Sequence, residues 1–189
     1  MLSVPVVLVM GACLWAQTST KTSTPSKTCY ATKEEIQVYA GFLGGESSPA
    51  NPTVLVTKTE AWIQDMDTLN LMLAAKGHGI PPDLRTDFTV KNKSSCLIRS
   101  FEGVPNLRFI SKDEESTIFV AGWEESHKKY GKGAEVVTVS RVGFNSDKTL
   151  ALLHIIGAKG RMAAPGELHV LERKDGKWVI KFNIQTMAT

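Results

Sequence analysis

Cysteine is scarce in this chain, three residues in 189. No two of them form a C-x-x-C pair or take zinc-ligand spacing, which argues against a structural zinc site. A phosphate-cradling glycine loop, a nucleotide fingerprint and the G-x-S-x-G nucleophile elbow are also missing. Asp65 and Asp67 begin a calcium-loop pattern that is never completed, and WEESHKKY holds only one of the two histidines an H-E-x-x-H site needs. Net charge is likewise small. The formal value is +3, and the densest basic pairs are Lys128-Lys129 and Arg173-Lys174, too dispersed for a nucleic-acid footprint. No apolar run reaches the ~20 residues of a spanning helix. These absences leave no metal, cofactor, nucleic acid or stable membrane span to expect.

What is present is the composition of one globular domain, 42% hydrophobic and 22% charged. The opening MLSVPVVLVMGACLWA has no charged side chain, and its apolar run from Val4 to Met10 precedes small residues and Gln17. That is the h-region and cleavage region of a signal peptide, cut between Ala16 and Gln17. A lipid anchor at Cys13 is the alternative, because Met10-Gly11-Ala12-Cys13 loosely resembles a lipobox. Residues 17–28, rich in Ser, Thr and Lys, read as a flexible tether, and 29–189 as a single domain. Export to the periplasm or the exterior would leave Cys29 and Cys96 in a compartment that permits disulfides, and a single bridge between them is the simplest accounting.

Helical signals come early. Thr32 with Glu at i+3 opens an amphipathic helix that ends near Gly44-Gly45, with Ile36, Tyr39 or Ala40, and Leu43 on its inner face. TVLVTKTEAW, from Pro52 to Trp62, reads as a strand. LNLMLAAKGHG gives a short helix closing at Gly77, and Pro81-Pro82 opens another over DLRTDFTVKN. In SKDEESTIFVAGWEESHKKYG, Ser111 and Glu114 form a capping box and Phe119, Trp123, His127 and Tyr130 recur at helical spacing, with Gly122 a point where the helix can break. After Gly133 the chain reads as a β-meander: EVVTVSRVGFN, TLALLHIIGA, GELHVLERK and WVIKFNIQTM. The second, apolar on both faces, belongs at the centre. In the last, Trp178, Ile180, Phe182 and Ile184 share one face, and Asp175-Gly176 makes its hairpin. The order predicts an α+β fold, an antiparallel meander with helices packed on one face, comparable with a cystatin-like or nuclear-transport-factor-like cone.

Gly122-Trp123, then Ser140-Arg141-Val142-Gly143-Phe144-Asn145, Ala151-Leu152, Gly166, Leu171 and Gly176-Lys177-Trp178 together resemble a family of secreted bacterial proteins of unassigned function. The match runs from about Asp87 to Trp178. The resemblance implies export and the same meander, but no catalytic residues. Relatives often carry cysteines in the loop that here reads GAKGRMAAPGE, and this chain has none there.

Few residues invite chemistry. Arg141 has the planar fork for a carboxylate or phosphate, with Ser140 and Asn145 beside it. The structural alternative pairs Arg141 with an acid such as Glu172, lets Gly143 admit a helix, and starts the turn at Asn145. His154 and His169 lie on consecutive strands, where an acid-base pair would need them to converge. Trp123 and His127 share an apolar helix face. The reading that follows is an exported binding or structural protein of the cell envelope, with a protein or small anionic ligand as partner and Trp123, Arg141, Asn145, His154 and His169 as candidate residues. The alternative is a secreted hydrolase-like enzyme with His154 or His169 as base and Arg141 on an anionic substrate. A third is an inhibitor or immunity-type partner of another secreted protein.

Overall fold

The computed structural model describes residues 28–61, 66–75, 77–159 and 166–186. The expected signal peptide, the lipidation candidate Cys13, all but the last residue of the tether, and Trp62 lie outside the described residues. The fold is α+β, built on one mixed, mostly antiparallel sheet in the order β2-β1-β3-β5-β6-β7. These strands are β1 (Thr53–Val56), β2 (Leu107–Ile110), β3 (Glu135–Val139), β5 (Leu150–Ala158), β6 (Gly166–Lys174) and β7 (Lys177–Thr186). A two-residue strand, β4 (Gly143–Phe144), pairs with β5 beyond the end of β3. From β3 to β7 the pairing is antiparallel, whereas β1 pairs in parallel with both β2 and β3. β5, without a polar face in the sequence, is central as its composition requires.

Among the described residues five helices pack on the sheet: α1 (Lys33–Glu46), α2 (Met66–Ala75), α3 (Pro82–Lys91), α4 (Lys112–Ala121) and α5 (Trp123–Tyr130). The capping box expected at Thr32 is complete, with the Thr32 side chain accepting from the Glu35 amide and Glu35 accepting from the Thr32 amide. At the second expected box only half forms. Ser111 caps α4 through the Glu114 amide, but the Glu114 carboxylate turns to Lys129 and Tyr130 instead. The helix does break at Gly122, whose φ of +93° favours glycine.

The helices cover both faces of the sheet rather than one. Alternation along β5 makes this plain. Ala151, Leu153 and Ile155 join Val38, Tyr39 and Leu43 of α1 in one core, while Leu152 joins Leu73, Leu84 and Phe88 of α2 and α3 on the other side. On that second side, towards β1 and β2, Ile118 and Trp123 of α4 and α5 pack on Val54, Val56 and Val136. A sheet apolar on both faces must be covered twice, and the early helices divide to do so.

Three expected strands are reshaped, the first of them, TVLVTKTEAW, being a strand only over Thr53–Val56. EVVTVSRVGFN is interrupted after Val139, and the separate β4 follows only at Gly143. In β7 the register slips opposite Val170 and Leu171, with Phe182 facing Val170 and Ile180 facing Leu171, so that Lys181 stands opposite no residue of β6. That bulge inverts the alternation. Trp178 packs with Leu171 in the α1 core, but Phe182 and Ile184 pack in the α2–α3 core. The four apolar residues therefore do not share a face.

Cys29 and Cys96 stand at disulfide distance, their Cα atoms 4.7 Å apart. Backbone bonds from Ala31 to Leu97 and from Leu97 to Cys29 hold the two segments side by side.

Candidate functional site

Arg141 finds its partner in α1, not on a neighbouring strand. Its Nε and Nη2 donate to Oε1 and Oε2 of Glu35 at 3.1 and 3.2 Å, and Glu35 is wholly buried. The same carboxylate accepts from the Val142 amide at 3.3 Å and from the Thr32 amide at 2.7 Å, so both oxygens are satisfied. Glu172, the partner expected from strand order, pairs with Lys174 and Lys181. Asn92, at the end of α3, presents its side-chain amide to the backbone of Arg141, accepting from its N–H and donating to its carbonyl. It replaces a neighbouring strand at the gap between β3 and β4. The Tyr39 hydroxyl donates to the Ser140 carbonyl at 2.9 Å, and the Ser140 hydroxyl accepts from the His154 amide. Burial, with the Glu35 charge nearby, pushes the Tyr39 phenol well above its usual range.

The rest of the motif is equally structural. A Cβ on Gly143 would sit 2.5 Å from the Phe88 Cβ, so only glycine lets α3 lie this close. Asn145 closes the turn, its Oδ1 accepting from the Leu150 amide and its Nδ2 donating to Thr149. Trp123 is buried in the α4–α5 core, flanked by the rings of Phe119 and His127. Ser140, Arg141, Gly143 and Asn145 thus brace the junction between sheet and helices.

The two histidines point apart. His169 is the cross-strand partner of Leu153, while His154 faces Leu168, so one ring lies on the α1 face and the other on the opposite face. His154 is buried, shares a hydrogen bond of 2.9 Å between Nε2 and Thr186 Oγ1, and has its pKa pushed down to about 4, chiefly by burial and secondarily by His169. Gly166 makes room for it, since a Cβ there would lie 2.6 Å from Nε2. Arg141, His154 and His169 do not meet in one concavity, and the shared anionic subsite expected of them is not formed.

Of the two histidines, His169 lines a cavity. Beneath α1, a hollow of about 330 Å³ is walled by Phe42, Val137, Ile155 and Ile180 and edged by Glu46, Glu135, Glu167, Lys159, His169 and Asn183. Its volume lies at the lower end of small-molecule sites. Neighbouring strands β3, β5, β6 and β7 deliver these side chains because residues two apart share a face. The His169 Nε2 donates to Glu167 Oε2 at 2.9 Å, and Asn183 Nδ2 donates to the same oxygen at 3.1 Å. Burial lowers the His169 pKa against the raising influence of Glu167. With Nε2 carrying the proton, Nδ1 is an acceptor, and it has no hydrogen-bond partner. Glu135 pairs with Lys159 at 3.1 Å.

Sequence reasoning missed Glu35, Glu135 and Asn183. Glu35 was legible as a cap, and its spacing to Val38 and Tyr39 also put it on the buried face. Glu135 follows from alternation with Val137 and Val139. Asn183 could not be placed opposite His169 without the β7 bulge. Among the described residues no group of three or more His, Cys, Asp or Glu side chains is arranged to hold a metal ion. Comparison with family models, curated proteins and solved structures finds no match to this chain. The resemblance to secreted bacterial proteins rests on the sequence motifs alone.

Proposed function

We propose that this chain is an exported, non-catalytic domain of the cell envelope or the exterior that acts by binding, with the cavity beneath α1 as its ligand site. The carrying observation is that cavity: apolar walls, a polar edge, and a buried imidazole with an unmet acceptor. Export is supported by the Cys29–Cys96 pairing, since bridges persist in oxidising compartments. No helix among the described residues is long and apolar enough to cross a membrane. Against the hydrolase reading, Arg141 is spent on Glu35 and His154 lies on the far face. The acidic edge also disfavours the anionic ligand that Arg141 suggested.

The test uses a neutral aromatic fluorophore, N-phenyl-1-naphthylamine, titrated into the full chain. The expected result is saturable enhancement at one site, abolished by Ile180→Trp, which fills the cavity edge from a half-exposed position. Enhancement that survives Ile180→Trp unchanged places the binding elsewhere and overturns the reading.

A further inference from the structure

We propose that the cavity beneath α1 takes an organic ammonium ion, a protonated primary amine carried on a short aryl or branched apolar group. The inference rests on the reading of this cavity as the ligand site, and it adds the chemical class of the ligand.

Two independent observations point there. The first is the sign of the charge. Glu46, Glu135 and Glu167 edge the cavity, and Lys159, its one cation among the described residues, is already paired with Glu135. An anion entering there meets carboxylates, and a cation gains from them. The second is His169, only 3% exposed. Its Nε2 proton is committed to Glu167, which leaves Nδ1 as a buried acceptor without a donor. What the site lacks is therefore an N–H or O–H.

An ammonium group meets both conditions at once. Its three protons can serve Nδ1 and the Glu167 carboxylate together, while its carbon chain lies on Phe42, Val137, Ile155 and Ile180. A neutral alcohol supplies a donor but no charge, and a carboxylate supplies the wrong sign. The Phe42 ring stands edge-on to the imidazole, 4.7 Å between centroids, and Nδ1 is closed from bulk solvent. Access to Nδ1 thus requires a side chain over it to move, and the half-buried Phe42, which lines the cavity edge-on to the imidazole, is the group placed to do so.

The experiment compares phenethylamine, 2-phenylethanol and 3-phenylpropionate, each titrated calorimetrically into the full chain at pH 7 and low salt. The expected order is amine tighter than alcohol by about tenfold, the step of one closely held charge pair, with no measurable heat of binding from the acid. Glu167→Gln should remove most of the amine's advantage over the alcohol. Glu46→Gln, exposed at the end of α1, should reduce the advantage in the same direction. Equal affinity for amine and alcohol, or preference for the acid, overturns the inference. If the alcohol still binds and Ile180→Trp still blocks it, the cavity reading survives that loss. If none of the three binds, the cavity reading fails and the inference fails with it.

Discussion

Replacing Arg141 by Met tests whether the most conspicuous motif of the sequence is a brace. The substitution keeps an unbranched apolar side chain of useful length and removes both N–H donors to Glu35. The Glu35 carboxylate would then be wholly buried with only the Val142 and Thr32 amides to hold it. Breaking a buried ion pair from one side costs about 3 to 5 kcal/mol, because the surviving charge cannot be hydrated. Two amides remain and the Arg141 side chain is 14% exposed, so the expected loss is near the lower end, about 3 kcal/mol. Arg141→Lys keeps the charge and loses the fork, and should fall between. Glu35→Gln destabilises as well, since its NH2 group faces donors where a carboxylate oxygen accepted. Glu35→Gln combined with Arg141→Met should cost less than the sum of the two, with a coupling of about 1 to 3 kcal/mol. Urea denaturation at pH 7, with the cysteine pairing intact and m-values compared, measures all four. A loss below about 1 kcal/mol for Arg141→Met, or strict additivity in the double variant, would show that the pair is not the brace described here.

Three further outcomes are expected. Gly143→Ala should cost about 1 to 3 kcal/mol, because its methyl meets the Phe88 backbone and Cβ; Gly44→Ala, in open space within α1, should instead stabilise by about 0.5 to 1 kcal/mol. Equal effects of the two on the melting temperature would refute the close approach of α3. His154 has a folded pKa near 4 against 6.5 for the free side chain, so the unfolded chain takes up the proton first as pH falls. The stability contributed by neutral His154 is present above about pH 6.5, declines below it, and is gone by about pH 4, a total of about 3 kcal/mol. His154→Gln does not titrate, and a stability difference between it and the parent that stays flat from pH 7 to 4 would contradict the burial. Closing the 67-residue separation between Cys29 and Cys96 is worth about 4 kcal/mol by the loop-entropy rule. Reduction should lower the melting temperature accordingly, and two titratable thiols in the unreduced, denatured protein would remove the bridge.

The sequence by itself determined the local elements, since their signals are local. The Thr32 cap, the Pro81-Pro82 helix start, the Gly122 break and the Asp175-Gly176 hairpin all stand where short-range sterics and hydrogen bonding put them. The apolar run of β5 also declared its central place, because a strand without a polar face must be covered on both sides. Partnership was another matter. Glu35 and Arg141 are 106 residues apart, and nothing in either neighbourhood says which acid a strand arginine will find. The separation of His154 from His169 onto opposite faces hangs on a one-residue difference in register. The cavity beneath α1 depends likewise on the bulge that turns Ile180 and Asn183 toward it together. Register and helix placement are settled by summing burial over the whole sheet, a quantity that exists only once the chain has folded.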